Sequence, residues 1–238
     1  MPHSDSSTPR REFLGQMAVS ALALAGTACA APAAAMQTAP GASTTAPSGG
    51  ARQAQSWDDS WTTRLIAKHK AVFDSPDVEE NTTLGLLQVQ RYIQGMRDAL
   101  NVGPNDVQTV LVVRHKSIPF AFNDAMWEKY KIGEEIKVKQ GDAWATKNPG
   151  AHPRTGNASG DRPQSNMEWL LSHGHFVLGC DLATQGFATT LAQKHNSTMQ
   201  TVYQELKANL VPGLILQPNG IYAVLRAQEA GCAYFRST

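Results

Sequence analysis

From about Trp57 to Thr238 the sequence predicts an α/β fold, a three-layer α/β/α arrangement built on a mainly parallel sheet of about five strands. Three observations carry this expectation. Short apolar runs alternate with stretches of helical spacing, and no segment repeats. Val107-Gln108-Thr109-Val110-Leu111-Val112-Val113 is β-branched and nearly all apolar, as a strand buried on both faces should be. Helices interleaved between strands imply parallel pairing, wound right-handed.

Lys70-Ala71-Val72-Phe73 reads as the first strand, stopped after Asp74-Ser75 by Pro76. A helix should start near Asn81-Thr82 and carry Leu86, Val89, Ile93, Met96 and Leu100 at three-and-four spacing, a core-facing stripe ended by Asn101-Val102-Gly103-Pro104. The strand over 107–113 follows and delivers Arg114-His115. A short helix is expected over Phe122 to Tyr130. The polar, Gly- and Pro-containing stretch from Ile132 to Ser165 exceeds ordinary loop lengths, so it is expected to be a lid over the crevice or a partly disordered insertion.

Asn166 to Ser172 reads as one or two helical turns leading into the strand Phe176-Val177-Leu178-Gly179-Cys180. The next helix, from Asp181, should break at His195-Asn196. Ser197 with Gln200 then forms a capping box for a helix through Met199, Val202 and Leu206. Leu214-Ile215-Leu216 is a strand and Pro218-Asn219-Gly220 turns it. Ile221, Val224 and Leu225 line a last helix ended by Gly231, and Cys232-Ala233-Tyr234-Phe235 is the final strand.

The first 35 residues read as an export leader. Arg10-Arg11-Glu12-Phe13-Leu14 precedes the mild apolar run from Met17 to Ala25, the layout of a twin-arginine signal, so a periplasmic protein is expected. Cleavage after Ala30 or Ala35 satisfies the small-x-small rule. The run is Ala-rich and well short of the roughly 20 strongly apolar residues of a membrane span, so no stable span is expected. A lipid anchor on Cys29 is the lesser alternative, because Gly26 stands where a large aliphatic residue is usual. Residues 36–56 are small, polar and rich in Pro, Gly, Ser and Thr, a flexible linker by composition.

Charge narrows the function. The chain carries 21 Lys and Arg against 20 Asp and Glu. Losing the leader leaves 19 against 18, with no basic stripe, so nucleic-acid binding lacks its electrostatic basis.

Val72-Phe73-Asp74, Val112-Val113-Arg114-His115 and Gly179-Cys180-Asp181 stand at successive strand ends. With Val211-Pro212-Gly213, Pro218-Asn219-Gly220-Ile221 and Arg226-Ala227-Gln228-Glu229-Ala230-Gly231, the chain from about Trp57 onward resembles the DsrE/DsrF-like family of sulfur-relay and related proteins. The resemblance implies a small α/β/α domain that forms homo-oligomers. It also implies sulfur carried as a persulfide on a cysteine after the third strand, the position of Cys180, with a sulfur donor or acceptor protein as partner. The export signal and the 132–165 insertion depart from the cytoplasmic relays of that family.

The residues bear their own reading. Cys180 ends an apolar run before a helix, where free N–H groups and the positive dipole end stabilise a thiolate. Asp181 beside it disfavours the thiolate or caps the helix. Cys180 is therefore open to two readings, a sulfur carrier or redox thiol and a buried structural cysteine. His115 ends the neighbouring strand, where it pairs with Cys180 or merely packs. Asp74 and Arg114 share that edge and serve the crevice or merely pair with each other at its rim, where Asp181 and Asn219 are also expected. Trp127 and Tyr130 roof the crevice or simply pack. His173-Gly174-His175 lies five residues, roughly 16 Å at about 3.3 Å per residue, from Cys180, too far for one coordination sphere. No metal and no cofactor are expected. Cys232 opens its strand whereas Cys180 closes its own, so a disulfide between them is not expected. Two functions follow: a periplasmic sulfur-handling protein, or a non-catalytic oligomeric or small-ligand-binding module in which Cys180 is structural.

Overall fold

Alternation along the strands sets the layers. In β2 (Val107–Val113), Leu111 and Val113 pack into one apolar cluster while Val110 and Val112 pack into another, so successive side chains serve opposite faces. β1 (His69–Ser75) behaves likewise, sending Ala71 and Phe73 to the first cluster and Val72 to the second. The computed structural model describes residues 56–79, 82–153 and 165–237, all within one compact unit, Gln53–Thr238. The export leader with Arg10 and Arg11, the lipidation alternative at Cys29 and the linker up to Gln55 lie outside the described residues.

Five strands form one parallel sheet. β5 (Phe176–Cys180), β6 (Ile215–Gln217) and β7 (Ala233–Arg236) join β1 and β2 in the order β6-β5-β2-β1-β7. The larger cluster packs α1 (Leu84–Leu100), α2 (Asp124–Lys129), α5 (Asp181–Lys194) and α6 (Met199–Ala208) on one face. The smaller packs α7 (Gly220–Glu229) and a 3₁₀ turn at Ser60–Arg64 on the other. The fold is a three-layer α/β/α sandwich. Steps from β1 to β2, β5 and β6 run one way across the sheet with their helices on one face. The step from β6 to β7 runs back with α7 on the opposite face, as uniform crossover handedness requires.

Four expectations need correction. The 132–165 insertion is neither loose nor a detached lid over its described part. It contains α3 (Ile132–Glu135) and a hairpin of β3 (Lys139–Gln140) with β4 (Ala143–Trp144), and Ile132, Val138, Ala145 and Ala151 are buried. Gly133 shows how tight this is: an added Cβ would stand 2.2 Å from the Ala145 carbonyl oxygen. Residues 154–164 lie outside the described residues. In α7, Ile221 and Leu225 face outward, at 67% and 53% exposure, while Ala223, Val224 and Ala227 make the contact with the sheet. Small residues let that helix approach closely, which an apolar-stripe reading overlooks. Leu100 of α1 is exposed rather than core-facing. The cap of α6 is Thr198, whose side chain accepts from Thr201 N–H at 3.1 Å, one residue later than the expected Ser197. No helix among the described residues is long and apolar enough to cross a membrane.

Candidate functional site

The sheet's carboxyl edge has one topological switch. From β5 the chain enters α5 on one face, and from adjacent β6 it enters α7 on the other. Diverging connections open a crevice between such strands. Cys180 and Gln217, paired in register, stand at that point, and the Leu182 N–H donates across it to the Pro218 carbonyl at 3.3 Å.

Cys180 itself caps α5. Its Sγ accepts the Ala183 N–H at 3.3 Å, satisfying one of the free donors of the first turn. Asp181 is thus the first helical residue and not the cap. It is also turned away from the rim: Tyr203 of α6 donates its hydroxyl to both carboxylate oxygens at 2.8 and 2.9 Å, and Gln185 donates at 2.7 Å. Cys180 is buried, at 6% exposure. Gln217 beside it is buried too, with Oε1 unpartnered among the described residues, an unused acceptor at the switch.

Arg114 and Asp74 do pair. The guanidinium donates through Nε at 2.5 Å and through a terminal nitrogen at 2.8 Å, one to each carboxylate oxygen, a bidentate geometry. Tyr234 of β7 adds its hydroxyl at 3.1 Å. Hydrogen bonding to Asp74 raises the Arg114 pKa against partial desolvation, and the negative charge of Asp74 raises it further. Its stem crosses Gly220, where an added Cβ would lie 2.4 Å from the Arg114 Cδ. Asn219 caps α7, its side chain accepting the Tyr222 N–H at 2.9 Å.

His115 begins a 3₁₀ turn with φ of 53°, makes no hydrogen bond with the Cys180 thiol, and lines a different feature. That feature is a groove of about 700 Å³ between the turn after β2, the 132–138 wall of the insertion and α5. Ala183, Gly186, Phe187 and Thr190 recur along α5 at helical spacing to form one side, and Cys180 does not line it. Sequence reading missed this second face of α5, although that spacing was visible in it.

Trp127, Tyr130 and His175 are buried in the packing. Trp127 is fully buried against Phe120 and donates its ring N–H to the Pro119 carbonyl at 3.0 Å, while Tyr130 donates to Glu205 at 2.5 Å. His173 stacks on Trp169, and the buried His175 Nδ1 accepts the Thr109 N–H at 3.1 Å. No group of three or more His, Cys, Asp or Glu among the described residues could hold a metal ion. Cys180 and Cys232 are both free thiols at opposite ends of their strands, and burial pushes the Cys232 thiol up to about 11 despite the lowering effect of Lys70. The chain matches no family model and no curated protein.

Proposed function

We propose that the protein is an exported, DsrE/DsrF-like sulfur-handling domain in which Cys180 carries sulfane sulfur. The observation that supports this most is Cys180 Sγ at the switch point, at the N-terminus of α5 with a backbone N–H aimed at it. In the reaction, the Cys180 thiolate attacks the terminal sulfur of a donor persulfide. The donor's S–S bond breaks, its thiol is released with the proton, and the new S–S bond lies on Cys180. An acceptor thiolate then repeats the exchange and regenerates Cys180, with no net oxidation. The Arg10-Arg11 leader supports periplasmic delivery, which is tested by cytoplasmic retention when both are lysine. A second copy of the chain is part of the same reading, covering the exposed residues of α7 and β7.

One observation favours a second reading. Cys180 is nearly enclosed, already spends its sulfur on a cap and stands outside the open groove. In that reading the domain is a non-catalytic binding module. Intact mass after polysulfide exposure separates the two. The sulfur reading expects additions of whole sulfur atoms on Cys180 and none on Cys232, whose raised pKa leaves almost no thiolate at neutral pH. Cys180→Ser removes the adduct and keeps the fold, because serine is a preferred N-cap. A wild-type protein that takes up no sulfur at Cys180 leaves the binding module.

A further inference from the structure

The groove beside α5 has a composition of its own. Val78, Ile118, Pro119, Ile136 and Phe187 give it an apolar lining. At Gly186 an added Cβ would meet nothing within 4 Å, so the helix presents bare backbone to open space there. A volume of about 700 Å³ suits a small molecule, within the roughly 300–1,000 Å³ of ligand sites.

The charges around this lining do not cancel. Glu135 is neutralised by Lys194, and Lys116 by Asp77 at 3.4 Å. Lys137, on the insertion wall, makes no salt bridge among the described residues. Among the charged lining residues that leaves one uncompensated ammonium, on the solvent-exposed Lys137. His115 and Lys137, on different walls, both hold left-handed conformations, with φ of 53° and 59°, as do Asn101, Lys131 and Asn196 elsewhere. Such conformations are unfavourable for residues with a Cβ, and surrounding structure must hold them.

We propose that this groove binds a free, monomeric acyl carboxylate, its chain along the Gly186 face of α5 and its carboxylate at Lys137. An uncharged amphiphile would leave the ammonium unmatched, and a cationic one would meet it directly. The inference stands on the groove alone and is independent of any chemistry at Cys180.

Decanoate is the probe, titrated calorimetrically into the full chain beside decanol and decyltrimethylammonium. Saturable binding of decanoate is expected, with decanol weaker and the cation weakest. Lys137→Gln should weaken decanoate by about threefold, the scale of a partly exposed ion pair, and leave decanol unchanged. Gly186→Leu should weaken decanoate and decanol alike by about tenfold, by filling the trough. That variant replaces glycine inside a helix by a better helix former, so it keeps the fold. Absence of saturable decanoate binding, equal affinity for the cation, or indifference to Gly186→Leu overturns the proposal. So does binding to phosphatidylglycerol vesicles in place of monomeric decanoate, which would make the face a membrane contact.

Discussion

At the scale of single residues, His175 shows how a side chain that invited a metal reading becomes a stability element. It is 4% exposed, and its Nδ1 accepts both the Thr109 N–H at 3.1 Å and the Thr109 hydroxyl at 3.2 Å, so the ring is held neutral with that nitrogen unprotonated. Burial lowers its pKa to about 4, helped by His173 and Arg97. The unfolded chain binds this proton with a pKa of about 6.5, so between 6.5 and 4 the unfolded state is the more protonated one. Stability is therefore complete above pH 6.5 and falls by about 3 kcal/mol as pH drops toward 4. His175→Asn keeps an acceptor for Thr109 and removes the titration. Urea unfolding at pH 7.5 and 4.5 should show a larger loss in the wild type than in this variant. Equal losses would show that the ring does not titrate on unfolding. The sequence could place His175 at a strand start, but nothing in it says that the Thr109 N–H points there.

Elements were more legible than sites, and the reason is physical. β2 was readable to its last residue because burial on both faces leaves an unbroken apolar run, and proline punctuation marked the end of β1. The pair Asp74–Arg114 was equally readable, since parallel neighbours end on one edge and opposite charges there find each other. Helix α7 misled because its contacts come from Ala223 and Ala227, small residues that periodicity scores lightly, while its large Ile221 and Leu225 face outward. The insertion misled for a related reason. Its polar composition hides a few fully buried anchors, Ile132 and Val138 among them, that tie it to the core. Composition averages over a segment, whereas packing depends on a handful of its residues. The groove followed from that packing: only a fixed insertion can form a wall opposite α5, so a reading that left the segment loose had no groove to find.

At the scale of the whole molecule, the outward residues of α7 and the free edge of the sheet lie on the same side. Ile221, Leu225 and Tyr234 border a cleft of about 250 Å³ whose polar end is the Asp74–Arg114 pair. β7 pairs only with β1, so its other edge is open among the described residues. Exposed apolar side chains beside an unpaired strand are the features that soluble chains ordinarily cover or blunt. In the proposed homo-oligomer a second copy would cover both at once, and a two-fold arrangement, the commonest closed assembly, would place the patch on itself. The wild-type chain should then sediment as a dimer at micromolar concentration, and Leu225→Glu should sediment as a monomer. Because Leu225 is 53% exposed and borders the cleft without entering the core, this substitution should change monomer stability by no more than about 0.5 kcal/mol. Retained helical circular dichroism in the variant separates lost association from lost folding. A monomeric wild type would refute self-association through this face, and a Leu225→Glu protein that remains dimeric would move the contact elsewhere on the molecule.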